Sequence, residues 1–145
     1  MIYGIIHTMD DCIFCKIVKG EIPSTKVYED ENTLAFLDIK PVNIGHILVI
    51  PKKHFKNIYD TPDEVLSELI KISKKISIAV KKSLGADGVN VTMNNEPASG
   101  QIIFHTHIHI IPRIEGDGFG VWHGKRDYNE DEKNEVAQKI KTATV

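Results

Sequence analysis

The chain has 145 residues, 41% of them hydrophobic, and a formal net charge of −2. That length suits one domain with a real core, and the charge gives no global positive field for a nucleic acid, since Lys52-Lys53, Lys74-Lys75 and Lys81-Lys82 are only short basic pairs. The N-terminus has neither a basic region nor a long apolar run, so no signal peptide and no membrane span are expected, and the cytoplasm is the default location.

Residues 1–10 read as a loose leader, with Met9 a second candidate start. From Asp11 to about Lys19, the spacing of Ile13, Phe14, Ile17 and Val18 predicts a short amphipathic helix, with Asp11 as its cap and Gly20 and Pro23 as its breakers. Lys26–Glu29 and Thr33–Asp38 read as two strands of a hairpin turned at Asp30-Glu31-Asn32. His46–Ile50 is a third strand, stopped by Pro51. Thr61-Pro62-Asp63-Glu64 predicts a helix start, with Thr61 as N-cap, Pro62 in the first turn and Glu64 closing a capping box. Val65, Leu69, Ile72, Ile76 and Val80 continue at helical spacing until Gly85. Val89–Met93 is a further strand, Asn94–Gly100 a polar loop, and Gln101–Pro112 a strand carrying three histidines. Residues 115–120 form a glycine-rich loop, and 129–142 a mostly exposed helix. Hairpins mixed irregularly with helices favour an α+β class over a doubly wound sheet.

The chemistry concentrates in His105, His107 and His109. Alternate positions on a strand share a face, so the three rings point together while Phe104, Thr106, Ile108 and Ile110 point away. The spacing admits three readings: exposed histidines on an edge strand, a zinc site with an open position, or an imidazole nucleophile whose neighbours fix its tautomer and carry protons. The preceding loop, from Asn94 to Gln101, can offer backbone N–H groups and side-chain amides to an anion or a sugar. His46 sits on a strand that can join the same sheet. Phe14, Ile17 and Phe36 suit either plain core or a slot for a flat ring, and Asp38 suits either a turn or a pair of ribose hydroxyls. Cys12 and Cys15 are the only cysteines, and their spacing suits a metal or a redox pair.

From Cys12 to Arg113 the chain resembles the histidine-triad (HIT) family of nucleotide hydrolases and transferases, in the branch of histidine-triad nucleotide-binding proteins that carries Cys-x-x-Cys. The resemblance rests on Cys12-Ile13-Phe14-Cys15-Lys16-Ile17, Gly20-Glu21-Ile22-Pro23-Ser24, Leu34-Ala35-Phe36-Leu37-Asp38-Ile39, the run from Gly45-His46 to His54, and the triad with Pro112-Arg113. It implies one HIT domain over residues 1–145, with 114–145 a C-terminal loop and tail: an antiparallel sheet of about five strands, one long helix and shorter terminal helices. It implies attack by His107 on the α-phosphorus of a purine nucleotide, giving a nucleotidyl-histidine that water hydrolyses. His109 and His46 assist, with His105 completing the triad. Ile13, Phe14, Ile17, Phe36 and Leu48 match positions that line the base pocket, and Asp38 matches the ribose-binding acid. Asn94 and Gln101 match polar positions facing the phosphate. Backbone N–H groups near Gly100–Ile103 are expected to stabilise the phosphoryl oxygens.

The chain departs from the family at Ile102, where Ser or Thr is usual, so only the backbone N–H of Ile102 can serve the phosphate. The resemblance further implies structural zinc on Cys12, Cys15, His54 and His105, and a homodimer formed through Pro62–Leu84 and Val89–Met93. Trp122 is expected near the substrate mouth. A dinucleoside polyphosphate hydrolase, which Pro112-Arg113 suggests, and a nucleotide-binding module with incidental hydrolysis are the alternatives.

Overall fold

The computed structural model describes residues 9–122 and 124–144; most of the expected leader lies outside them. The described residues form two compact units, 1–115 and 116–145, with the first eight residues of the former undescribed. In the first unit, five strands pair antiparallel throughout: β1 (Lys26–Glu29), β2 (Thr33–Leu37), β3 (Ile47–Pro51), β4 (Gly88–Thr92) and β5 (Ile108–Arg113). Their order in the sheet is β1-β2-β3-β5-β4. The expected α+β fold, with one long helix and shorter flanking helices, is present.

The β1–β2 turn is fixed by its own aspartate. The Asn32 and Thr33 N–H groups donate to Asp30 Oδ1 at 2.9 and 2.7 Å, and the Asp30 N–H donates to the Thr33 carbonyl at 3.0 Å. This is the local alternative to a backbone turn that Asp offers.

Alternation along β2, β3 and β5 gives the sheet two apolar faces. Ala35, Ile47, Val49, Ile108 and Ile110 pack under α2 (Asp63–Leu84), which contributes Leu69, Ile72, Ile76 and Val80 from one helical stripe. Leu34, Phe36, Leu48 and Ile50 face the other way, against Cys12, Phe14, Cys15 and Ile17 of the α1 (Ile13–Val18) region. The chemistry sits on this second face, and α2 provides the rigid backing.

Gly45 lies against the end of α2. Its φ of +91° is a left-handed conformation, and a Cβ there would collide with the Leu84 side chain at the end of α2. Gly45→Ala is expected to cost about 1–2 kcal/mol, chiefly from backbone strain, because the half-exposed end of Leu84 can shift aside. Thermal unfolding checks it; an unchanged midpoint would contradict the left-handed backbone at Gly45.

Three expected details differ. The α1 cap is Cys12, whose Sγ accepts from the Cys15 N–H at 3.4 Å, and not Asp11. Thr61 does not cap α2, which begins after Pro62 without a side-chain cap and without the capping box. Instead the Thr61 hydroxyl is buried, donates to the Asn57 carbonyl at 2.6 Å and meets Thr106 Oγ1 at 2.7 Å. The histidine strand starts only at Ile108: residues 101–107 run irregularly, pinned where the Thr106 N–H donates to the Phe55 carbonyl at 2.7 Å.

In the second unit, α3 (Glu130–Ala143) is capped by Asn129, whose side chain accepts from the Glu132 N–H at 3.0 Å, and it buries none of its residues. Trp122 belongs to this unit and is exposed. Among the described residues, no helix is long and apolar enough to cross a membrane.

Candidate active site and metal centre

The three triad rings share the α1 face but divide into two sites. His105 is fully buried and joins Cys12, Cys15 and His54 in a cluster whose ligand atoms all lie within 4.8 Å of one another. Its Nδ1 lies 3.4 Å from Cys12 Sγ, 3.6 Å from Cys15 Sγ and 3.3 Å from His54 Nδ1, while Cys15 Sγ lies 3.3 Å from His54 Nδ1. Tetrahedral zinc with Zn–S of about 2.3 Å and Zn–N of about 2.0–2.1 Å has N···N and S···N edges of roughly 3.3–3.6 Å. The donor set and its edges fit.

The far side of His105 fits as well. Its Nε2 lies 2.8 Å from the Pro51 carbonyl, which can only accept, so the proton sits on Nε2 and Nδ1 offers its lone pair to the cluster. Without a metal, burial pushes the Cys15 thiol up to about 11, with Cys12 adding to the effect, and burial holds His105 down to about 4. The cluster is consistent with a structural zinc site. Metal binding there must expel thiol protons, so affinity rises with pH.

A second group, Asp38, His46 and His109, also has metal-type side chains close together. Its hydrogen bonds form a chain of imidazoles able to pass a proton. The Val42 N–H donates to His46 Nδ1 at 3.1 Å, so the neutral His46 carries its proton on Nε2. That Nε2–H donates to His109 Nδ1 at 2.9 Å, which leaves the His109 proton on Nε2. A metal at His46 Nε2 would force the proton onto Nδ1, against the Val42 N–H. Asp38 Oδ2 lies 3.8 Å from His46 Nε2 and can offset an added proton on the pair.

His107 completes the arrangement. Its Nδ1 lies 2.6 Å from the His105 carbonyl, so Nδ1 donates and Nε2 keeps the lone pair. Phe14 and the His107 ring pack in a T, with centroids 5.3 Å apart and planes at 87°. Burial lowers the pKa of His107, and burial with the neighbouring His107 and His46 holds His109 at about 4. The imidazoles are therefore neutral near pH 7.

Buried neutral histidines bind fewer protons than the unfolded chain between about pH 4 and 6.5. Their contribution to stability is therefore complete above 6.5 and lost as pH falls through that window. The thermal midpoint of chelator-treated protein should drop between about pH 7 and 5; a flat profile would contradict neutral burial.

His107 and His109 open into a pocket of about 390 Å³. Phe14, Ile17, Phe36 and Leu48 make an apolar slot at one part of its wall, edged by Ile13. Asp38, Asn94, Ile102 and Ile103 line it as well. Ile22, Pro23, Ile39, Lys40 and Gly100 join them; the sequence marks Ile22, Pro23 and Ile39 only as parts of family-like motifs and Gly100 only as a backbone donor, and assigns Lys40 no role.

His46 stands behind His109, outside the lining. Gln101 does not face the pocket. Its buried amide donates to the Lys56 and Ile103 carbonyls at 2.7 and 3.1 Å and accepts from the Glu96 N–H at 2.7 Å. It ties the polar loop to the segment before α2.

The HIT domain family matches residues 19–116. The chain belongs to the HIT family. Protein hit of Bacillus subtilis (strain 168) is 46% identical over 140 residues, 95% of this chain and 94% of that protein. Adenylylsulfatase HINT3 of Arabidopsis thaliana is 48% identical over 108 residues, 74% of this chain and 55% of its own length. The crystal structure of a Zn-bound histidine triad family protein from Mycobacterium smegmatis superposes with a TM-score of 0.75 at 37% identity, covering 93% of this chain and 99% of that one. As an HIT protein, the chain falls among the nucleotide hydrolases and transferases, and its triad is divided between a cysteine-bearing cluster and an open pocket.

Proposed function

We propose that this HIT protein hydrolyses purine nucleoside monophosphate derivatives, phosphoramidates and acyl-nucleotides, through a nucleotidyl-histidine on His107. The carrying observation is the tautomer of His107, which leaves the Nε2 lone pair available at the pocket. The base lies in the Phe14–Phe36–Leu48 slot and the ribose hydroxyls reach Asp38. His107 Nε2 bonds to phosphorus as the P–N bond to the amine breaks. The departing nitrogen takes a proton from His109 Nε2. The His46–His109 pair, neutral in the free protein, takes up that proton as the anionic nucleotide binds and returns to neutral on giving it up. Water then attacks the adduct, its proton goes to the pair, the Nε2–P bond breaks and the nucleoside monophosphate leaves. Backbone N–H groups near Gly100–Ile103 supply fixed donors for the phosphoryl oxygens.

Zinc on Cys12, Cys15, His54 and His105 stands outside this chemistry and secures α1 against the histidine segment. The edge of β4 and the half-exposed Ile70 and Ile78 of α2 support a homodimer through those elements. Paired thiols on zinc suit a reducing, cytoplasmic compartment.

Because burial lowers the His107 pKa, the acid limb of kcat/KM should fall below the ordinary imidazole value of 6.5. A limb above it would contradict a desolvated nucleophile.

Release of adenosine monophosphate from an adenosine phosphoramidate, a diadenosine polyphosphate and an adenylyl sulfate, side by side, tests the reading. Fastest release from the phosphoramidate is expected. Fastest release from the polyphosphate moves the chain to the neighbouring branch, and fastest release from the sulfate aligns it with the Arabidopsis relative's name. No release from any leaves a binding module.

A further inference from the structure

The departing side of the pocket has its own chemistry, and Ile102 dominates it. Its side chain is 84% exposed, yet it lines the same pocket as His107 and His109. A lone exposed isoleucine is ordinary. This one is held by an unusually well-bonded support, because the adjoining Gln101 is buried and its amide bonds three separate backbone groups. Next to it, Gly100 has a φ of +92°. The apolar side chain is thus presented at a fixed place beside the reacting groups.

In-line attack by His107 Nε2 requires the leaving group to depart on the opposite side of phosphorus. The apolar slot takes the base and Asp38 the ribose, so the departing group is left with the wall formed by Asn94, Gly100 and Ile102. Among the described residues lining the pocket, Lys40 is the one lysine or arginine, and Asp38 balances it. A polyphosphate departing here would meet too little positive charge, whereas an alkyl or aryl body would cover Ile102.

We infer that Ile102 selects substrates whose leaving group carries an apolar body attached to the departing nitrogen or acyl oxygen. This rests on the hydrolase reading above and names the substrate class of that same site.

The test uses adenosine 5′-phosphoramidates of methylamine and hexylamine, two primary alkylamines of similar basicity, so the bond-breaking step is alike and the tail differs. Each buried methylene is worth about a fourfold preference. With two or more covered, the wild-type protein should favour the hexyl substrate roughly tenfold or more in kcat/KM, chiefly through KM. Ile102→Ser should bring the ratio to within about threefold, and Ile102→Val should keep most of the preference. Release from the methyl substrate with no hexyl preference, or a preference that survives Ile102→Ser, overturns the inference while the hydrolase reading stands. No release from either substrate overturns both.

Discussion

Replacing His107 with alanine should reduce nucleotide release by a factor of about 10⁴ or more while nucleotide binding persists. The effect is large because the proposed reaction runs through one atom. The His105 carbonyl fixes the proton on Nδ1 and leaves the Nε2 lone pair at the pocket, where the proposal has it attack phosphorus. The proposed slot for the base is lined by Phe14, Phe36 and Leu48, which the substitution leaves in place. His109→Ala removes the proposed proton donor but leaves the proposed nucleophile, so a smaller loss of about 10²–10³ is expected, greatest for leaving groups that most need a proton. Single-turnover release and equilibrium nucleotide binding, measured on the same preparations, separate these effects. If His107→Ala released product at near wild-type rate, the nucleophile assignment would be wrong.

Stripping the metal, or removing its sulfur ligands by Cys12→Ser with Cys15→Ser, should produce the largest loss of stability. One zinc per chain is expected in the native protein and none in the double variant, with a fall in thermal midpoint of about 10 °C or more. His105 makes this loss felt in the active site. Its ring enters the cluster while its carbonyl holds His107, two residues on. The stripped protein should therefore also lose turnover. The Cys15 thiol, pushed up to about 11 in the metal-free state, makes protons strong competitors for the site, so chelation should be easier in acid. Protein that holds no metal as purified and keeps its midpoint in chelator would make the cluster ordinary core.

Local signals read well in the sequence. Asp30 beside two short β-rich runs announces the first hairpin, and the stripe from Leu69 to Val80 announces α2 with its stop at Gly85. Alternation also separates the triad rings from Ile108 and Ile110, though the regular strand covers only His109 of the three. Features set by distant partners were not readable. Thr61 has every local mark of a helix cap, yet Thr106 and the Asn57 carbonyl claim its hydroxyl. Asp11 yields to Cys12 because the thiol at that position sits beside the first turn of α1. Gln101 looks like a polar group for phosphate, but Lys56, brought close by the fold, takes its amide. The division of the triad into a cluster and a pocket follows from where β3, the His54 segment and α1 meet, which spacing along one strand does not encode.

The proposed hydrolysis is two successive displacements at phosphorus, the first by His107 and the second by water. The most direct measurement is the stereochemical course with a substrate made chiral at phosphorus by sulfur and oxygen isotopes. Two in-line displacements predict overall retention of configuration. Overall inversion would mean that water attacks phosphorus directly, and the covalent role of His107 would be contradicted.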